Sequence, residues 1–162
     1  MARKAILSFL LCLLLSVAQA AELSGKVSWV YDGDTLQIES LGQVRLLGID
    51  TPEYQDSPRD RFYMNNFHIP PPRLRDISSR AKNYTIRQVK ERTVKLAFDT
   101  ERRDRHGRLL AYVYLANGEM LNLLLLEQGL ATVFRRYDFS FKETFLATEN
   151  AARGRKIGLW EP

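Results

Sequence analysis

The sequence predicts an α+β fold, a small closed barrel of five β-strands with about three helices packed around it. Three observations predict it. Tight-turn signals at Asp32-Gly33 and at Leu41-Gly42-Gln43 join three consecutive strand patterns into a meander. One helical pattern separates the third strand from the fourth. A leucine-rich helix and an amphipathic helix follow the fifth strand.

The elements run in this order. Leu23 to Tyr31 is the first strand, with Val27, Trp29 and Tyr31 on one parity, and Asp34 to Glu39 is the second. Val44 to Asp50 is the third. Tyr54 to Asp76 breaks the rhythm with Pro58, the run Pro70-Pro71-Pro72 and four arginines (Arg59, Arg61, Arg73 and Arg75). It reads as a long arginine- and proline-rich loop, either an irregular surface or a functional connection. Asp76 or Ser78 is positioned to cap a helix to about Glu91, with Ile86 and Val89 facing inward. Thr93 to Asp99 alternates as a fourth strand, and Arg108 to Leu115 is a fifth. Asn122 to Gln128 and a helix from Ser140 to about Arg153 close the chain, with Trp160 packing back. This order fits the five-stranded OB-type barrel, an architecture that binds nucleic acids and sugars.

Length and composition bound the rest. With 162 residues, 45% of them hydrophobic and 27% charged, the chain is sized for one domain with a real core. Residues 1–20 read as a removable signal peptide: Arg3 and Lys4, an apolar run from Ala5 to Val17, then Ala18-Gln19-Ala20. Cleavage there leaves residues 21–162 as a single domain, exported to a periplasm or secreted. It also removes Cys12, the only cysteine, so the mature chain holds no thiol or disulfide. Loss of Arg3 and Lys4 takes the basic residues from 24 to 22, against 19 acidic, and the positive balance persists. The arginine clusters are either a solvated surface or a surface that attracts a polyanion.

Three places carry candidate chemistry. Asp32-Gly33-Asp34-Thr35 suits a hairpin turn, where Gly supplies positive φ. Asp50-Thr51-Pro52-Glu53 suits an ordinary turn before proline. Together they offer Asp34, Asp50 and Glu53 with nearby hydroxyl and carbonyl oxygens, the all-oxygen set that a hard cation such as Ca²⁺ takes. Two histidines and no mature cysteine argue against zinc, and EF-hand spacing is missing. Arg45 lies inside the strand Val44-Arg45-Leu46-Leu47, where it must snorkel or meet an anion. Strand parity puts it with Leu47 and Ile49 rather than with Asp50, so twist or the end turn has to bring Arg45 to the acids. Arg108 follows Asp104-Arg105-His106-Gly107. It is either an exposed turn residue or a second cation for an anionic transition state, and His106 is an available base.

Val30-Tyr31-Asp32-Gly33-Asp34-Thr35, Val44 to Glu53 and Asp104-Arg105-His106-Gly107-Arg108 resemble the staphylococcal-nuclease (thermonuclease) family in their order. Leu110 to Tyr114, Asn122, Gly129-Leu130-Ala131 and Gly158-Leu159-Trp160 continue the resemblance. The resemblance implies an OB-type barrel with three helices and Ca²⁺-dependent hydrolysis of DNA and RNA, leaving 3′-phosphate ends. By position it implies carboxylate ligands at Asp34 and Asp50 and a carbonyl ligand at Thr51. It makes Glu53 the residue that holds or activates water, and Arg45 and Arg108 the phosphate clamp. Tyr137, Arg135 and Asp104 fall at the nucleotide-binding side, with Arg135 standing where a second tyrosine is usual. The partners implied are single-stranded DNA and RNA, with duplex DNA left open, for a monomer free of the membrane. A catalytically silent nucleic-acid-binding barrel is the alternative, and a secreted interaction domain a third reading. The Tyr54 to Asp76 connection is longer than in the prototype of the family.

Overall fold

A computed structural model describes residues 23–162. The signal-peptide reading of residues 1–20 lies outside the described residues.

The strands are β1 (Leu23–Val30), β2 (Thr35–Ile38), β3 (Gly42–Leu46), β4 (Ile49–Asp50), β5 (Thr93–Ala97), β6 (Leu109–Tyr114) and β7 (Thr132–Val133). The helices are α1 (Arg59–Phe67), α2 (Pro71–Val89), α3 (Leu121–Glu127) and α4 (Lys142–Arg155), followed by a 3₁₀ turn at Gly158–Trp160. Five strands close into a barrel in the order β1-β2-β3-β6-β5, so the OB-type α+β fold is present. Closure is made by parallel pairing of β3 with β6 and antiparallel pairing of β1 with β5. Val27, Leu36, Ile38, Val44, Leu46, Val94, Ala111 and Val113 are buried in the core.

The strands depart from the expected pattern in two places. In β1 the register slips between Val27 and Trp29, so two residues oppose one on β2. This bulge inverts the parity: Val27 and Val30 are buried, while Trp29 and Tyr31 point outward. The expected third strand, Val44 to Asp50, is interrupted at Leu47-Gly48. Its last two residues leave the barrel and pair with β7, Ile49 opposite Val133 and Asp50 opposite Thr132. Gly48, at φ +80°, makes that break possible.

The expected loop from Tyr54 to Asp76 is largely helical, which is a correction. Ser57 Oγ accepts from the Arg59 amide (3.1 Å), and Asp60 accepts from the Ser57 amide (3.4 Å), so α1 has a reciprocal start. His68 ends it in the left-handed region. The proline run then begins α2 rather than preventing it. Pro70 is the cap and Pro71 the first helical residue, where the missing N–H has no intrahelical partner to lose. Asp76 and Ser78, expected as caps, therefore lie inside α2. Its buried face is Leu74, Ile77, Ser78, Ala81, Thr85 and Val89. In the last helix Phe141, not Ser140, holds the cap position. The Ser140 amide donates instead to Asp99 Oδ2 (2.6 Å). Trp160 packs back as expected, edge-on against Phe67 with centroids 5.3 Å apart.

Candidate active site

The site is assembled where the β1–β2 hairpin meets the end of β3 and the short sheet β4–β7. Asp34 is fully buried, and its two oxygens are used differently. Oδ2 accepts from the Thr51 amide (2.7 Å) and the Thr51 hydroxyl (3.0 Å), which ties the hairpin to the turn after β4. Oδ1 accepts from the Thr35 hydroxyl (3.3 Å) and from Arg45 Nη1. The Asp32 carboxylate in turn accepts from the Asp34 amide (3.0 Å).

Gly33 earns its place by close approach and not by positive φ, contrary to the hairpin reading. A Cβ there would stand 2.7 Å from both Ala81 Cβ and Thr51 Cγ2. The Thr85 hydroxyl of α2 also donates to the Gly33 carbonyl (2.7 Å). The helix thus presses the hairpin onto the acid pair.

Asp50 sits across one guanidinium from Asp34. Arg45 Nη2 donates to Asp50 Oδ1 at 2.8 Å while its Nη1 holds Asp34. Flat-strand parity would separate Arg45 from Asp50, and the break at Leu47-Gly48 brings them together. Asn122 steadies that break. Its Nδ2 donates to the carbonyls of Leu47 (2.9 Å) and Ala111 (3.3 Å), and its Oδ1 accepts from the Val113 amide (3.0 Å).

The other oxygen of Asp50 is held by residues the sequence reading did not place at a site. Arg59 of α1 donates to Oδ2 through Nε (3.1 Å) and Nη2, and the buried Tyr63 hydroxyl lies 3.3 Å from the same atom. Burial and the Asp50 charge push the Tyr63 hydroxyl well up, so it stays a donor. Four arginines in the Tyr54 to Asp76 segment were the available signal for Arg59; only the helix could show which one turns inward.

Four carboxylates, Asp32, Asp34, Asp50 and Glu53, surround Arg45, with Arg59 as the second guanidinium at the cluster. Burial opposes the Arg45 charge, and Asp34 and Asp50 more than offset it and push its pKa up. Burial pushes the Asp34 carboxyl up against the same guanidinium. Glu53 is raised by burial of its carboxyl and then by the Asp32 charge, against the pull of Arg45. The residue still reaches solvent, in a groove shared with Tyr31, Asp32 and Tyr54.

The remaining candidates lie at different distances from this cluster. Arg108 immediately precedes β6 and is two residues before Leu110, which pairs with Arg45, so strand parity places both arginines on one face. Its guanidinium is held by Asp104, through Nε and Nη2 at 2.7 Å each. Asp104 also accepts from the amides of His106 (2.9 Å) and Arg108 (3.0 Å), so it organises the turn that presents Arg108. Burial works against the Asp104 charge, and the Arg108 bonds hold its carboxyl down. His106 is exposed in that turn.

Tyr137 is 62% exposed, with its ring 5.7 Å from that of Phe134. Arg59 also lies 5.7 Å from the Phe134 ring, which links Tyr137 to the Asp50 corner. Arg135, expected at a nucleotide, is engaged elsewhere. It donates to both oxygens of Glu149, a fully buried carboxylate that also accepts from the Val133 amide (3.1 Å). Arg135 thereby braces β7, the strand that seats Asp50.

Residues 43–162 match the family model described as staphylococcal nuclease homologue. The chain belongs to the staphylococcal nuclease family. Among its relatives, an uncharacterized protein of Methanocaldococcus jannaschii is 36% identical over 84% of this chain and 70% of its own. The thermonuclease of Staphylococcus hyicus is 30% identical over 89% of this chain and 79% of its own. The thermonuclease of Staphylococcus intermedius is 32% identical over 83% and 74%. Asp34 precedes the segment matched by the staphylococcal nuclease model, and its place in the site rests on its bonds to Thr51 and Arg45.

Among the described residues no three or more His, Cys, Asp or Glu side chains cluster as a metal site; the donors on offer to a hard cation are the Asp34–Asp50 pair with the hydroxyl and carbonyl oxygens beside it. The donors are oxygens throughout, and carboxylates outnumber guanidinium groups at the cluster by four to two. Asp34 and Asp50 already face one cation, the Arg45 guanidinium, from two sides.

Proposed function

We propose that this chain is an exported, Ca²⁺-dependent phosphodiesterase that hydrolyses DNA and RNA with low sequence specificity and leaves 3′-phosphate ends. The observation that carries the reading is the pairing of Asp34 and Asp50 across the Arg45 guanidinium, with Glu53 three residues beyond Asp50 on the open side. Two of the relatives are thermonucleases, which supports a nuclease reading of this chain. Export rests on the basic, apolar and Ala-Gln-Ala pattern of residues 1–20.

Each residue has a role that its chemistry suits. Asp34 and Asp50, with the Thr51 carbonyl, would hold the ion. When bound, Ca²⁺ supplies positive charge against the oxygens at phosphorus. Arg45 and Arg108 donate N–H groups to the phosphate oxygens, whose charge grows as the attacking water adds. Glu53 takes a proton from that water, and its raised pKa makes it a stronger base than an ordinary glutamate. A new bond from the water oxygen to phosphorus forms while the bond from phosphorus to the 5′ oxygen breaks. The 5′ oxygen leaves and takes up a proton from solvent water, and the 3′ oxygen keeps the phosphate. Tyr137 offers an exposed ring on which a base can stack.

Digestion of single-stranded DNA and of RNA in Ca²⁺, and then in excess chelator, tests this reading. Both substrates should be cut to 3′-phosphate products in Ca²⁺ alone. Retardation of either polymer in a gel without cutting would support the catalytically silent binding module instead. Cutting that survives chelation would refute the metal role of Asp34 and Asp50.

A further inference from the structure

Arg59 is not a loosely held surface arginine. Its helix is fixed at both ends of its packing: Asp60 accepts from Arg75 of α2 (2.6 Å), and Phe62 and Phe67 form an edge-to-face aromatic pair that continues to Trp160. Tyr63 anchors the same helix to the Asp50 carbonyl at 3.3 Å. The Arg59 guanidinium lies 4.8 Å from the Phe62 ring and 5.7 Å from the Phe134 ring. From there it forks onto Asp50 Oδ2 through Nε and Nη2.

Asp50 is thus held by two guanidinium groups, one on each oxygen. They differ in how easily they leave. Arg45 spans both acids from a barrel strand, and its side chain is 17% exposed. Arg59 reaches Asp50 alone, from outside the barrel, and its side chain is 37% exposed. A divalent cation drawing on Asp50 would share the carboxylate with a positive group close by, and the two repel one another. Of the two guanidinium groups, Arg59 is the more exposed and holds one acid rather than two, so it has less to lose on leaving Asp50.

We propose that Arg59 is a competing cation at the Asp50 corner of the metal site, displaced when a divalent ion takes that carboxylate, so that α1 sets the metal affinity of the chain. The proposal rests on the reading of Asp34 and Asp50 as metal ligands and adds a determinant of affinity from the helix that follows them.

Calcium titration by isothermal calorimetry, using the purified full-length chain, tests it. Arg59→Gln removes the charge and most of the fork, and should bind Ca²⁺ at least about fivefold more tightly than the parent. Arg59→Lys keeps the charge but gives up the fork, and should fall between the two. Unchanged or weaker affinity in Arg59→Gln would overturn the proposal. Should that variant fail to give a cooperative thermal melt, Arg59→Lys decides: tighter binding supports the displacement, and unchanged binding overturns it. Asp50→Asn separates the two readings. If Asp50→Asn loses Ca²⁺ binding and Arg59→Gln does not gain it, only the role of Arg59 fails. If Asp50→Asn binds Ca²⁺ as the parent does, or none of the chains binds it, the metal site itself is refuted along with this proposal.

Discussion

Asp99 shows how much one residue can hold. Its carboxylate accepts from the Ser140 amide (2.6 Å), the Tyr112 hydroxyl (2.7 Å) and the Thr100 amide (2.8 Å), joining the end of β5 to the approach to α4. The Ser140 bond first, and then the Tyr112 bond, hold the carboxyl well below the usual range. The folded pKa is depressed, so the stability it contributes is present above the unfolded value of about 4 and is lost as pH falls toward the folded one. Asp99→Asn should cost about 1–2 kcal/mol at pH 7 in urea denaturation and should flatten the loss of stability below pH 4. A variant with the acid limb of the parent would show that other carboxylates govern it. At this scale the sequence was legible where a motif concentrates unusual residues. Asp34, Arg45 and Asp50 do meet, although strand parity alone set Arg45 apart from Asp50. The ion pair of Arg135 with Glu149 was not legible, because a carboxylate fourteen residues away on the apolar face of the last helix, between Phe145 and Ala152, does not announce its partner.

Elements were legible in kind but not always in extent. The alternation from Val44 to Asp50 continues across a break that only pairing with β7 exposes, since a strand leaving one sheet for another keeps its apolar residues. Gly48 is the marker of that break. An added Cβ would meet Phe139 Cε2 at 2.6 Å and Phe145 Cε2 at 3.0 Å, on a backbone already at φ +80°. Gly48→Ala should therefore lower stability by about 2 kcal/mol. Because the break aims Asp50 at Arg45, cleavage per folded molecule should fall as well. Urea denaturation beside rates measured on the folded fraction checks both halves, and full activity would mean that Asp50 is aimed by β7 alone. The proline run misled for a different reason. Prolines end helices from within but begin them from the first turn, and the residues that follow decide which applies. Nine-residue α1 gave little periodicity to find, because it packs mainly through a local cluster of Phe62, Tyr63 and Phe67.

For the whole molecule, turn signals marked the pairs that are neighbours in sequence, β1 with β2, β2 with β3 and β5 with β6. The pairs that close the barrel, β3 with β6 and β1 with β5, join strands far apart in the chain and were expected from the family resemblance. The site needed contacts that order does not give: α2 pressing Gly33 onto Thr51, Asn122 bracing the end of β3, and α1 reaching Asp50. These come from three helices, α2 at the β1–β2 hairpin, α3 at the end of β3 and α1 at β4. Their common effect is to hold two buried acids around one cation while Glu53 remains open to solvent. The central claim is that this arrangement hydrolyses phosphodiesters with Glu53 handling the proton of water. Turnover of single-stranded DNA in Ca²⁺ by the parent chain and by Glu53→Gln tests it most directly. A loss of at least about 100-fold in Glu53→Gln, with the thermal melt unchanged, is predicted. Equal turnover by the two chains would contradict the account.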